Sequence, residues 1–148
     1  MVNSEYPKPT KPIQPDGRVH GVVAAVVRAD GHLLLIRRSY TVAAPGKVCF
    51  PGGTVELGED LASAMIREMR EELGVHIAIN NQVWEWNSPD RPLKLFGFVA
   101  SIIDGEIVPN ADEVAEILWL SPHDAVNHPD AMPSNESFVN SVIKYLGE

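Results

Sequence analysis

Glu56, Glu59, Glu68, Glu71 and Glu72 stand in a single stretch, Gly53 to Val75, which reads GTVELGEDLASAMIREMREELGV. Carboxylates at that density repel one another unless positive charge sits among them. A hard divalent cation, which takes oxygen ligands, is the natural counter-charge. The pattern implies metal-dependent chemistry, and a scaffold that holds these acids and brings a substrate to them.

The acids need a helix to order them. Asp60 is a good N-cap and Gly74 a good residue just past a helix end, so a helix is expected between them. At roughly 100° per residue, Ala62, Met65, Ile66, Met69 and Leu73 fall on one stripe, expected to face the core. Glu68, Glu71 and Glu72 share a second wedge, with the small Ala64 expected to leave room above them for metal and substrate. Arg67, Arg70 and Ser63 lie on the remaining side. The competing reading is a solvated face rich in Glu and Arg. The gathering of acids on one wedge argues against it, as do Gly52, Gly53 and Gly58 just ahead, which let a backbone turn sharply and approach a ligand. Glu59 arrives at the helix entrance, within reach of the cluster.

Around this segment the chain alternates strands and turns. Val19 to Val27 and His32 to Ile36, joined by Asp30-Gly31, are expected to form a β-hairpin that Arg37 and Arg38 close. Val48 to Phe50 and Val55 to Leu57 read as short extended pieces. Ala78 to Trp86, Leu93 to Ile103 and Glu116 to Leu120 read as strands, and Asp104-Gly105 as a second hairpin turn into Glu106-Ile107-Val108. Ser121-Pro122 opens a short helix to about Asn127. A last helix runs from about Glu136 to Leu146, with Phe138, Val139, Val142, Ile143 and Leu146 as its apolar stripe. Residues 1–17, with Pro7, Pro9, Pro12 and Pro15, read as a Pro-rich arm, mobile or lying along a dimer partner. Residues 18–148 then form one α/β domain with a mixed β-sheet.

With 148 residues, 45% hydrophobic and 22% charged, the chain is an ordinary globular domain long enough for a core. No apolar run nears the ~18 residues of a membrane span, and the N-terminus lacks the features of a secretory signal. The single cysteine, Cys49, fits a reducing compartment, so a cytoplasmic location is expected. A net charge of −8 argues against a nucleic-acid partner, as the missing apolar run argues against a membrane one. It allows a small phosphorylated substrate, because bound metal reverses the local field.

The stretch resembles a complete Nudix box, G-x5-E-x7-R-E-U-x-E-E-x-G-U with U a bulky aliphatic residue. Gly53, Glu59, Arg67, Glu68, Met69, Glu71, Glu72, Gly74 and Val75 fill its defined positions. The resemblance implies the Nudix fold, an α/β/α sandwich, and hydrolysis of nucleoside diphosphate derivatives with Mg²⁺ or Mn²⁺. It implies that Glu59, Glu68, Glu71 and Glu72, with the Gly52 carbonyl, hold the metal, and that Arg67 orients the carboxylates. In several family members the general base lies outside the box, before a late strand. Glu113 and Glu116 are the candidates, Glu113 preferred because Glu116 reads as strand.

In the MutT-like branch, an arginine at the end of the strand before the box contacts phosphate. Arg37 and Arg38 are the candidates, Arg37 slightly favoured, with Lys47 a weaker one. Met132-Pro133-Ser134-Asn135-Glu136 resembles a segment of that branch whose asparagine reads a base; Asn135 or Ser134 could equally cap the last helix. Phe50, Trp84 or Trp86 could stack on a base, or simply fill the core. The resemblance favours a (d)NTP pyrophosphohydrolase giving NMP and pyrophosphate, acting on a small nucleotide as a monomer or homodimer. An ADP-ribose or nucleotide-sugar pyrophosphatase is the alternative, on the strength of Pro89 and Pro92. A non-catalytic nucleotide sensor is disfavoured by the intact box.

Overall fold

Alternate residues of the first strand, β1 (Val19–Val26), part to opposite sides. Val22, Ala24 and Val26 enter one apolar core and Ala25 the other, as a period of two requires. Strand β2 (Leu33–Arg38) repeats this, with Leu34 and Ile36 in the first core and Leu33 and Leu35 in the second. A sheet apolar on both faces needs helices on both. The computed structural model, which describes residues 11–148, supplies them. Helix α1 (Leu61–Leu73) buries Met65, Met69 and Leu73 in the first core, each contributing roughly 1.5–3 kcal/mol. Helices α2 (Pro122–Asn127) and α3 (Asn135–Leu146) close the second with Ala125, Phe138, Val139 and Val142. The result is an α/β/α sandwich.

Two sheets share the central layer. One has the order β4-β1-β6-β5, where β4 is Gly52–Thr54, β5 His76–Asn87 and β6 Leu93–Asp104. Its β1–β6 pair is parallel and the others antiparallel, so it is mixed. The second, antiparallel throughout, has the order β3-β2-β7, with β3 Val48–Cys49 and β7 Val114–Leu120. Register shifts in β5 between Ile79 and Asn81 and between Gln82 and Trp84 turn its faces over. Ile77 therefore sits in the first core and Trp84 in the second.

Several expectations are corrected. The first hairpin is a turn between sheets: β1 and β2 share only a bridge, Val27 to Leu33, beside Gly31 at φ 86°. Each strand is apolar on both faces and takes its own partners, so the two separate after the turn. Residues 106–113 form no strand. They run under α1, where Val108 N–H donates to the Leu73 carbonyl and Asn110 N–H to that of Glu72, both at 2.8 Å. Carbonyls left open by the helix end are satisfied this way. The extended piece at the box is Gly52–Thr54 rather than Val55–Leu57. Ala62 is exposed, with Leu61 packing in its place, and Ala64 is fully buried in the core and opens no space over the acids. On α3, Ile143 and Leu146 are exposed.

The proline-rich arm falls partly outside the described residues. From Lys11 on, it folds against its own domain. Gly17 N–H donates to the Gln14 carbonyl and Gln14 N–H to that of Arg18, each at 2.8 Å, and Gln14 Nε2 donates to the Val55 carbonyl at 3.3 Å. No helix among the described residues is long and apolar enough to cross a membrane.

Candidate active site

Helix α1 is framed as its sequence predicts. Asp60 accepts from Ser63 N–H at 2.8 Å, and Gly74 takes the left-handed conformation at φ 68°. The two glycines ahead of it are fixed by close approach. A Cβ on Gly52 would strike the Val22 carbonyl, and one on Gly53 would strike the Glu68 carboxylate. Gly52 N–H in turn donates to Glu72 Oε1 at 3.0 Å. The β4 backbone and the acidic wedge of α1 therefore touch directly.

Arg67 collects most of the acids. Its guanidinium donates to Glu59 at 2.8 and 2.9 Å, to Glu68 at 2.8 Å, to Glu71 at 3.1 Å and to the Thr54 carbonyl at 2.9 Å. The bond to Arg67 holds Glu59 below the usual carboxylate range. Glu68 moves the other way, raised by burial against the pull of Arg67. Glu72 has no cation partner among the described residues. It is buried, and burial, reinforced by the charges of Glu113 and Glu68, pushes it up to about 8 against the Gly52 hydrogen bond. A carboxylate so placed is stabilised by a cation. The donors beside it, carboxylate oxygens and carbonyls, suit a hard ion such as Mg²⁺ or Mn²⁺. As they stand, no three acids, histidines or cysteines among the described residues converge on one point. A cation would share Glu68 and Glu71 with Arg67.

A cavity of about 290 Å³ opens beside these groups, reaching Gly52 and Gly53. The structure separates the two strand-end arginines. Arg37 is tied to Glu116 at 3.0 Å, to Asp130 at 2.9 Å and to the Gly46 carbonyl at 2.8 Å. Arg38 lines the cavity, its Nε donating to the Ala43 carbonyl at 2.6 Å. Of the two candidates for a phosphate contact, it is Arg38 and not the favoured Arg37 that lines the cavity. Glu116 is occupied by Arg37, whereas Glu113, exposed just ahead of β7, is near enough to act on the charge of both Glu72 and Glu68. Lys47 and Trp86 do not line the cavity.

The far wall is aromatic and amide. Phe50 packs edge-on to Phe138 at 4.8 Å, and Trp84 stacks on Phe138 at 4.9 Å, its indole N–H donating to Ser137 at 2.8 Å. Asn135 is buried within the first turn of α3, so it does not cap that helix, and Ser134 at the cap position makes no side-chain bond either. Asn135 Nδ2 donates to the Val48 and Ala125 carbonyls, both at 3.1 Å. No described residue donates to its Oδ1, and the side chain lines the cavity. The sequence reading passed over two cavity cations, Arg91 on the β5–β6 loop and Lys11 on the arm. Both lie in segments read as loop or tail.

The profile of the NUDIX domain matches residues 17–142. A CTP pyrophosphohydrolase from Escherichia coli is 32% identical over 123 residues, covering 80% of this chain and 90% of that protein. An NAD-capped RNA hydrolase, NudC, from Pseudomonas aeruginosa is 36% identical over 100 residues, or 68% of this chain; the match spans only 35% of that longer protein. A MutT protein from Methanosarcina mazei has the same fold, with a TM-score of 0.74 at 22% identity over 88% of this chain and 96% of that one. A glycine-rich strand abutting an acid-lined helix beside a cavity agrees with the profile match over most of the sequence: the chain belongs to the Nudix family.

Proposed function

We propose that the chain is a metal-dependent nucleotide pyrophosphohydrolase that cleaves a nucleoside triphosphate to the monophosphate and pyrophosphate. The observation that carries this is the cavity itself. Its floor at Gly52 and Gly53 abuts Glu72 and Glu68, its rim carries Arg38 and Arg91, and its wall carries Phe50, Trp84 and Asn135. Metal-seeking acids, phosphate-seeking cations and a base-sized apolar wall meet in one space. The similarity to a CTP pyrophosphohydrolase along most of both chains supports the same reading.

In this reading Glu59, Glu68, Glu71 and Glu72, with the Gly52 carbonyl, hold Mg²⁺ or Mn²⁺. When bound, such an ion would supply charge neutralisation on the phosphate oxygens and activation of water. Arg67 keeps Glu59, Glu68 and Glu71 oriented through its fork of donors. Arg38 and Arg91 grip the phosphates. Glu113 takes the proton of the attacking water, placed near the acids yet exposed enough to release it. Asn135 has both amide hydrogens engaged on backbone carbonyls, so it offers the cavity an acceptor only. It suits a base that presents an N–H donor, such as the exocyclic amino group of cytosine.

One observation favours a second reading, ADP-ribose or a nucleotide sugar. Pro92, a mark of that branch, lines the cavity. A screen of (d)NTPs, ADP-ribose and nucleotide sugars with Mg²⁺ or Mn²⁺ and coupled phosphate detection separates them. Pyrophosphate release from triphosphates is expected; turnover confined to ADP-ribose would overturn the first reading.

A further inference from the structure

The N-terminal arm carries Lys11 to the same cavity that Arg38 and Arg91 line. The arm is anchored by the residues that follow Lys11. Gln14 reaches the Val55 carbonyl directly beyond β4, and Asp16 pairs with His20 of β1 at 2.8 Å. Lys11, Arg38 and Arg91 form no ion pair with any described residue, whereas Arg28, Arg37 and Arg67 all do. The chain has only 12 Lys and Arg against 20 Asp and Glu, yet Lys11, Arg38 and Arg91 meet at one cavity whose described lining holds no Asp or Glu. Like charges so placed repel one another and favour the approach of an anion. Partial enclosure, and then the charges of Arg38 and Arg91, push the Lys11 ammonium below the ordinary lysine range, while Glu68 pulls the other way. Lys11 is thus within electrostatic reach of both the cavity cations and the acidic helix.

We propose that Lys11 is a substrate-contacting residue, delivered by the arm, which binds the polyphosphate oxygens together with Arg38 and Arg91. This rests on the nucleotide reading above and adds to it a specificity for chains of phosphate. Each further anionic oxygen gains from a third cation, whereas a nucleobase does not. The arm is then part of the binding site rather than a tail.

The test uses the full chain and its Lys11→Ala, Lys11→Arg and Lys11→Glu variants. Inorganic pyrophosphate binding is measured by calorimetry with Mg²⁺ at two ionic strengths, beside kcat and KM on the triphosphate turned over best. Lys11→Ala should weaken pyrophosphate binding about tenfold and raise KM by a similar factor, with kcat little changed. Lys11→Arg should restore most of the affinity, Lys11→Glu should weaken it further, and both Ala and Glu variants should show a shallower salt dependence. A purely structural arm would show neither charge rescue nor a change in salt dependence. Unchanged pyrophosphate affinity in Lys11→Ala, equal losses in Lys11→Ala and Lys11→Arg, or no pyrophosphate binding by the unaltered chain would each overturn the proposal. Pyrophosphate binding that depends on Lys11 in a chain that cleaves no nucleotide would leave this contact standing and sink the catalytic reading instead.

Discussion

Replacing Glu72 by Gln should stabilise the metal-free protein at alkaline pH while abolishing its turnover. The folded chain raises this carboxyl from 4.5 to about 8. It therefore binds its proton more tightly than the unfolded chain does, and folding is favoured most where both states are protonated, below about pH 4.5. Stability falls as pH rises through the window from 4.5 to 8, and the full penalty remains above it. The shift corresponds to a ceiling of about 5 kcal/mol, which relaxation around the charge reduces to about 2 kcal/mol. Gln keeps the oxygen that accepts from Gly52 N–H at 3.0 Å and removes the charge. In EDTA at pH 8, thermal unfolding followed by circular dichroism should place Glu72→Gln about 4–8 °C above the parent, a difference that shrinks towards pH 5. A residual slope should survive, because Glu68 is raised by burial as well. Added Mg²⁺ should raise the parent Tm at pH 8 and leave the variant almost unmoved. A variant less stable than its parent in EDTA at pH 8, or one with the parent's full pH slope, would refute the assignment of an uncompensated buried charge. Retained metal-dependent turnover would refute its catalytic role.

The two neighbouring arginines should separate by assay. Arg37→Ala should cost about 1 kcal/mol in urea unfolding through its lost pairs to Glu116 and Asp130, with KM nearly unchanged; Arg38→Ala should raise KM about tenfold with little loss of stability. The opposite pattern would return the phosphate contact to Arg37. Asn135→Ala should destabilise by about 3 kcal/mol, since the Val48 and Ala125 carbonyls lose their shared donor; a loss under about 1 kcal/mol would show those bonds to be dispensable.

The acidic helix was legible in the sequence because its information is local. Caps, box spacing and the helical period place Arg67, Glu68, Glu71 and Glu72 without knowledge of any other element. What failed needed knowledge of which face each partner covers. Alternation puts Arg37 and Arg38 on opposite faces, yet nothing in β2 says which face α1 takes. Arg38 continues the Leu34–Ile36 side that packs on α1, towards Glu72, whereas Arg37 continues the Leu33–Leu35 side, towards Asp130. Ala64 was misjudged for the same reason: the angular gap between stripe and wedge is narrow, and the sheet presses into it. The hairpin at Asp30-Gly31 has sound turn chemistry, but both flanking strands are apolar on both faces, which marks them as central strands that recruit separate partners. Lys11 and Arg91 were invisible because loops carry no period from which a facing can be read.

The division of charge within the site follows from these placements. Arg67 satisfies Glu59, Glu68 and Glu71, so the acid-rich helix holds together without relying on a metal for every carboxylate. Glu72, the most buried of them, is the one Arg67 does not reach, and its uncompensated charge gives the site its demand for a cation. On the other side of Gly52 and Gly53 the imbalance is reversed: Arg38, Arg91 and Lys11 line a cavity whose described lining holds no Asp or Glu. A ligand that relieves both must bring a cation to the glutamates and an anion to the basic rim at the same moment. A metal-chelated polyphosphate does this as a single species, and a neutral or singly charged ligand does not.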